Sequence, residues 1–461
     1  MKFSIGYNFD TKLLDALDCY QGNLEGFYFP IPRSYLGSGR DIQEPKDYSK
    51  QIEKIIKKCR LMNITSQLLL NATYEGKEGL GESFFTHILK YIQHLRSLGL
   101  QSVVVTNPLY IPRIKSEIKD IRIESSVNCY VKTPEHALYL KDLGVEVITI
   151  DRDINRNIAL IGEIKRKTGL KIRMMLNEGC VSNCPYRVLH YNYLSEGKKS
   201  LSKKIMRGVF LDKFCFDIYM KDPLKIFHVP FVPPEAVKFY QNCVDYYKLS
   251  TRVFPTWRIK LCLDAYIKGR FTGNLLWLLD SPGISYFKYV DYRELLKKKF
   301  FKMMSECELN CAECGYCAEL FKKAVLIERS LSNDINLREE KKVIRLYVSN
   351  LKQAAYPEDM LISNLHLGEA YLNLGKYKKA IQAIQAALRL NCKANKAYLI
   401  LGLAYLGLKN HDLAVQALKK EPLKSPYYNK ARLAILRCYK NAGGRGLIYR
   451  EIRRIKTRIR H

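Results

Sequence analysis

From Lys2 to Cys180 the chain alternates short apolar runs, rich in β-branched residues, with longer stretches in which apolar positions recur every three or four residues. Bounded apolar runs of this length suit strands, whereas the longer spacing puts the apolar side chains on one helix face. Seven strands are predicted: KFSIGYN from Lys2, LEGFYFPI from Leu24, SQLLLNA from Ser66, SVVVTN from Ser102, RIESSVNC from Arg122, VEVITID from Val145 and KIRMMLNEGC from Lys171. Amphipathic stretches such as KQIEKIIKKCRLM and PEHALYLKDLG separate them, the second opening on Pro134 and closing on Gly144, as helices do. An eighth strand is predicted in DYYKLSTRV, Asp245 to Val253, after a long insertion that holds Cys215 and HVPFVPPEAV.

Eight such units give an α/β protein, a closed (β/α)8 TIM-like barrel. An open doubly wound sheet has the same local pattern, and the barrel is the preferred reading. In a barrel the residues just past each strand form the site. After Ser281 the pattern is read as helical, through the charged segment Arg293 to Lys302 and on to CELNCAECGYC.

Beyond Pro357 an internal repeat begins. Leu367-Gly368-x-x-Tyr371 and Ala380 return as Leu401-Gly402-x-x-Tyr405 and Ala414, each 34 positions later. That is the tetratricopeptide period, and it predicts an all-α, TPR-type helical repeat domain with a concave partner-binding surface. A helical cap for the barrel is the alternative. A degenerate third copy places Tyr439 34 positions after Tyr405. The expected boundaries are a barrel over 1–292, a helical cysteine-rich segment over 293–356, repeats over 357–445 and a basic tail over 446–461.

Length accommodates this: 461 residues exceed one ordinary core. The N-terminus lacks the apolar stretch of a signal peptide, and no run of 18 apolar residues occurs, so a soluble cytoplasmic protein without a membrane span is expected. Lys and Arg outnumber Asp and Glu by 77 to 45, a formal charge of +32, which makes RNA a candidate partner. Solvated basic helix faces account for the same composition.

Fourteen cysteines without a secretion signal point to metal or thiol chemistry rather than disulfides. The seventh strand ends in Glu178, Gly179 and Cys180, and Cys184 follows; Gly179 permits a tight turn and Pro185 stiffens the loop, so two thiols face one small space. Cys215 lies on the following insertion. A second set, Cys307, Cys311, Cys314 and Cys317, is compact enough for one loop to wrap a metal centre. An iron–sulfur cluster is the leading expectation, with zinc the alternative. The first three of this set also match radical S-adenosylmethionine enzymes, but those carry the motif after the first barrel strand.

Cys19, Cys59, Cys243, Cys262, Cys392 and Cys438 stand singly on apolar patterns and are read as buried packing residues. Glu178 is a candidate acid–base group, with pairing to a cation as the alternative. His190 is a candidate ligand or proton donor, and Arg187 and Asn192 are candidates for orienting an anionic or amide-bearing substrate.

The segment Asn177-Glu178-Gly179-Cys180-Val181-Ser182-Asn183-Cys184-Pro185-Tyr186-Arg187, with His190 and Asn192, resembles the collagenase-like peptidase family U32. The stretch from Ser126 to Asn157 and the later VPFVPPEAV are similar to that family too, so the resemblance covers about residues 1–320. It implies a barrel and, in several branches, a cysteine-bound [4Fe–4S] cluster that supports oxygen-independent hydroxylation of RNA bases or quinone precursors. The cysteine spacing departs from those branches. The leading expectation is an iron–sulfur-dependent modifying enzyme, with Cys180, Cys184 and Cys215 cooperating with Cys311, Cys314 and Cys317. The alternatives are a U32-type peptidase, for which Cys184 with His190 is the one local nucleophile–base candidate, and a non-catalytic repeat scaffold with a structural metal.

Overall fold

The computed structural model describes the chain except residues 41–43, 77–78, 80, 196–216, 281–286, 308–309, 328–336, 353–356, 393, 395, 423–424, 426 and 442–461. Cys215 and the basic tail therefore lie outside the described residues, as does the side chain of Cys311. The chain divides into two units, Met1–Ile327 and Glu328–His461.

The first unit is a closed barrel of parallel strands in sequence order: β1 Phe3–Gly6, β2 Leu24–Pro30, β3 Thr65–Leu70, β4 Ser102–Val105, β5 Arg122–Ser125, β6 Val147–Thr149, β7 Lys171–Met175 and β8 Tyr246–Leu249. Every expected strand forms. The pairing of β8 with β1, Phe3 opposite Tyr247 and Ile5 opposite Leu249, excludes the open sheet. The amphipathic stretches become helices, among them Tyr48–Leu61 and Pro134–Asp142. Thr133 caps the second by accepting the His136 N–H, and Gly144 beyond it takes a positive φ of 105°.

The floor of the barrel is polar. Glu25, Gln67, Ser102, Glu124 and Arg173 are buried there and joined with Arg122. Arg122 reaches Glu25 at 2.6 Å and Glu124 at 2.5 Å, while Arg173 reaches Glu25 at 2.9 Å and also pairs with Glu124. Gln67 and Ser102 complete the network by donating to these carboxylates. A layer in which every charge is matched supports the sheet without leaving a costly bare ion. Above it Tyr28, Leu69 and Val104 pack as a small apolar group.

The wholly helical reading after Ser281 is corrected by a two-stranded ribbon. Phe287–Val290, β9, pairs antiparallel with Val325–Ile327, β10. Between them run the helices Tyr292–Lys297, Phe300–Ser305, Cys311–Cys314 and Tyr316–Ala324, so both ends of the cysteine-bearing excursion return to one place. Tyr289 and Val290 are buried, and so are Val325 and Leu326: buried β-branched and aromatic residues favour strand pairing here over the helical period.

In the second unit, helices Pro357–Asn373 and Tyr377–Leu390 form one pair, Ala397–Gly407 and His411–Lys419 the next, and Tyr428–Asn441 continues the stack. The repeat is exact at its tightest contact. A Cβ on Gly368 would lie 2.4 Å from Ile384 Cδ1, and one on Gly402 would lie 2.3 Å from Leu418 Cγ, the same pairing 34 residues on. Glycine is required at both positions by the closeness of the paired helix.

Candidate functional site

The C-terminal mouth of the barrel is built around the end of β7. Asn177 fixes it: its amide donates to Ser250 O at 3.2 Å and Leu278 O at 3.0 Å, and its side-chain oxygen accepts the Ser250 N–H at 2.7 Å. The next residue, Glu178, is fully buried and pairs with the fully buried Arg152 at 3.0 Å. Arg152 also donates to Tyr191 Oη at 2.7 Å and Asn128 Oδ1 at 3.1 Å. A second pair lies alongside, Arg40 with Asp280 at 2.6 Å, where Ser250 Oγ donates to the same Asp280 oxygen.

Burial alone would raise the Glu178 carboxyl, but Arg152 and Arg40 outweigh it and hold the group below the usual carboxylate range. Glu178 is thus paired with a cation, as one of its two sequence readings has it, and the pair anchors the strand end. Its other oxygen accepts the Cys180 N–H at 3.0 Å, so the carboxylate that holds Arg152 also sets the first turn of the cysteine loop.

That loop is held from β6 as well. Asp153 accepts the Asn183 N–H at 3.0 Å, where Asn183 adopts a φ of +50°, a region asparagine tolerates better than most residues. It also takes a two-pronged bond from Arg187, at 2.5 and 2.9 Å, and the same guanidinium donates to Val181 O at 2.9 Å. Arg187 is buried, and these hydrogen bonds hold the loop. Burial would raise Asp153, yet the Arg187 hydrogen bonds bring it below its ordinary value. Nearby, Asp151 Oδ2 and the Nε atoms of Arg152 and Arg187 are buried without a protein hydrogen-bond partner.

Cys180 and Cys184 do face one small space, a cavity of about 20 Å³ shared with Arg187, His190, Tyr191 and Tyr219. Arg40, Arg152 and Arg187 all feel the charge of Cys180. Cations close to a thiol favour its thiolate, the form that attacks electrophiles and binds metals. Asn192 has its side-chain oxygen buried without a partner among the described residues.

The second cysteine set lines a larger cavity, about 330 Å³, where Cys307, Cys314 and Cys317 meet His228. Cys317 Sγ lies 3.9 Å from His228 Nε2. Burial, and then Lys225, lower the His228 pKa, which favours the neutral imidazole that ligates metals. The backbone of His228 meanwhile accepts the Ser182 N–H at 3.2 Å, in the loop between Cys180 and Cys184. One residue thus touches both cysteine groups. Among the described residues, no three His, Cys, Asp or Glu side chains converge tightly enough for a single metal ion.

Of the solitary cysteines, Cys59, Cys243, Cys262 and Cys438 are buried as expected, whereas Cys19 and Cys392 are exposed. An apolar neighbourhood in sequence does not bury a residue at a helix end or in a turn, where these two lie. His228, Arg40, Arg152, Asp153, Lys248, Arg252 and Asp280 were not singled out from the sequence. Arg152 and Asp153 directly follow β6, and strand-end position was the available signal. Arg40 and Asp280 come from irregular segments that carry none.

Residues 46–186 match peptidase family U32, and residues 365–428 match the tetratricopeptide repeat. The first match runs through both Cys180 and Cys184. An uncharacterized protease of Methanocaldococcus jannaschii is 29% identical over 300 residues, which cover 64% of this chain and 87% of that protein. The structure of the U32 peptidase Mk0906 aligns at 19% identity with a TM-score of 0.40, over 54% of this chain and 92% of that one. A structure of MamA aligns at 15% identity with a TM-score of 0.23, over 36% of this chain and 99% of that one. The segment that matches the family supplies β3 to β7 and the start of the cysteine loop, hence Glu178, Arg152 and Asp153. No helix among the described residues is long and apolar enough to cross a membrane.

Proposed function

We propose that the protein is an iron–sulfur-dependent modifying enzyme, in which the barrel mouth holds the substrate and the flanking cysteines hold a [4Fe–4S] cluster. The observation that carries this reading is the double role of His228, which faces Cys317 through its ring and holds the Cys180–Cys184 loop through its carbonyl. The donor set suits such a group: the thiols of Cys307, Cys314 and Cys317 are spread around a cavity far larger than one ion, with an imidazole of lowered pKa among them. A cluster distributes its ligands over several irons, whereas zinc needs its donors converged on one point. Cys180 and Cys184 are ligand candidates from the mouth side, as are Cys215 and Cys311 by sequence. When bound, the cluster supplies or accepts electrons.

The chain's own groups do the rest. Glu178 and Arg152 set the Cys180 turn, and Asp153 and Arg187 set the Cys184 side. The basic surface gathers RNA, whose affinity then falls steeply with salt. The tetratricopeptide helices recruit a protein partner.

A second reading is peptide hydrolysis. Cys180, beside Arg152, and Cys184 with His190 share one cavity as nucleophile candidates, and the Methanocaldococcus relative is called a protease. Iron and acid-labile sulfide, measured on protein purified without oxygen, separate the two. Roughly four of each per chain, with a broad absorption near 400 nm, support the cluster. Metal-free protein that cleaves peptides, and loses this on Cys180→Ala, overturns it in favour of hydrolysis.

A further inference from the structure

Among the described residues, most of the charges that face the barrel interior are paired. Arg122 and Arg173 are matched by Glu25 and Glu124, Arg152 by Glu178, and Arg40 by Asp280. Lys248 on β8 and Arg252 just beyond it make no ion pair among the described residues. Tyr246, Lys248 and Ser250 share one face of the strand. That face is the interior one: Arg173 and Arg122 lie over the Tyr246 ring at 5.3 and 5.9 Å, and Ser250 bonds Asp280.

Both cations gather on one aromatic ring. Lys248 Nζ lies 4.2 Å from the Tyr28 centroid and Arg252 Cζ 5.8 Å from it. The ring cannot swing away, because Tyr28 Oη donates to Leu249 O at 2.7 Å and accepts the Thr251 N–H at 3.2 Å. Arg252 is held by one bond to Ser38 Oγ at 3.0 Å. Gly6 opposite makes its room: a Cβ there would lie 2.3 Å from Arg252 Cγ and 2.8 Å from its backbone nitrogen. Lys248 and Arg252 are both intermediate in exposure rather than fully buried.

An ammonium withdrawn from water without a counter-charge is expensive, and a ring face offsets only part of the cost. Burial, then Arg173, Arg252 and Arg152, push the Lys248 ammonium well below the ordinary lysine range. The fold tolerates this arrangement although the four carboxylates nearby are already committed. An arriving anion would meet one lysine and the free arms of one arginine, without displacing any carboxylate.

We propose that Lys248 and Arg252, with Tyr28 as their floor, form a subsite inside the barrel for the oxyanion group of a small acidic molecule, a carboxylate or a phosphoryl ester. The subsite lies on β8 and the residues just beyond it, includes no cysteine, and does not depend on whether a cluster is bound.

The test is binding rather than turnover. The full chain is melted with succinate, with inorganic phosphate and with sodium chloride at matched ionic strength, and affinities are taken by calorimetry. Succinate or phosphate raises the melting temperature beyond chloride, and whichever does so assigns the carboxylate or the phosphoryl source. Lys248→Met weakens that affinity at least tenfold, while Lys119→Met, an exposed control, leaves it unchanged. Without ligand Lys248→Met melts above the parent, because a lone interior charge is gone. Should that variant fail to fold, Arg252→Gln carries the same affinity comparison. An equal response to all three salts, no response at all, or full affinity in the variants overturns the proposal.

Discussion

Arg187 grips Asp153 with two parallel hydrogen bonds of 2.5 and 2.9 Å, and through it β6 carries the loop that follows β7. The planar guanidinium fork suits this job and an ammonium does not. Arg187→Lys is therefore expected to leave the barrel folded but loosen the loop. Amide hydrogen exchange over residues 180–190 should rise at least tenfold, and exchange in β1 to β5 should not change.

Breaking the Glu178–Arg152 pair from one side leaves a fully buried guanidinium without its carboxylate. Such losses cost about 3–5 kcal/mol. Glu178→Gln keeps the shape and should lower barrel stability by that order in denaturant titration. A change below about 1 kcal/mol would show that Tyr191 and Asn128 suffice for Arg152.

The two units should answer pH in opposite senses. Glu178 and Asp153 have folded pKa values below their unfolded ones, so their contribution is complete above pH ~4 and is lost as pH falls through the lowered values. Asp359 is raised to about 7, by burial and then by Glu358. A carboxyl raised on folding favours the folded state at low pH, and this help fades as pH climbs from about 4 to 7. Exchange protection in helix Pro357–Asn373 should thus fall from pH 5 to pH 8 after correction for intrinsic rates, and Asp359→Asn should flatten the trend.

Gly402→Ala should destabilise the repeat unit by about 1–3 kcal/mol, since the new methyl meets the branch point of Leu418 rather than a free side-chain end. Gly368→Ala should cost less, because its methyl first meets Cδ1, the free end of Ile384. Both can be read as lost helical signal at a lower temperature, with iron content unaffected.

Thiol labelling should sort the cysteines by environment. Burial pushes Cys59 and Cys262 up to about 12, and they should resist alkylation in the folded protein. Cys19 and Cys392 are exposed and should react at once. Cys307 and Cys314 are exposed as well, and protection of these two that disappears on iron removal would mark them as ligands.

The barrel was legible because each strand shows its burial in composition, and the repeats because a period of 34 survives at residues whose size the packing dictates. The ribbon was not, since Phe287–Val290 and Val325–Ile327 are too short to show a period and gain their strand character from each other. The site was half legible. Asn177 to Arg187 sit contiguously on one strand end, whereas Arg40, His228 and Asp280 arrive from segments without periodicity, and pairing between distant charges leaves no local mark. Lys248 was hidden for another reason: within β8 a lysine reads as an outward-facing polar residue, and only closure of the sheet turns it inward.

The ribbon that joins β9 to β10 makes the cysteine-bearing helices a clasped excursion, leaving and re-entering the fold side by side. Closing a loop at its neck separates its internal length from the geometry of its host, and extra length then adds only slowly to the entropic cost. The excursion is in that sense a cassette. Helices, spacings and even the number of thiols can be exchanged within it while the eight strands keep their register, so one barrel can carry different chemistries at the same door.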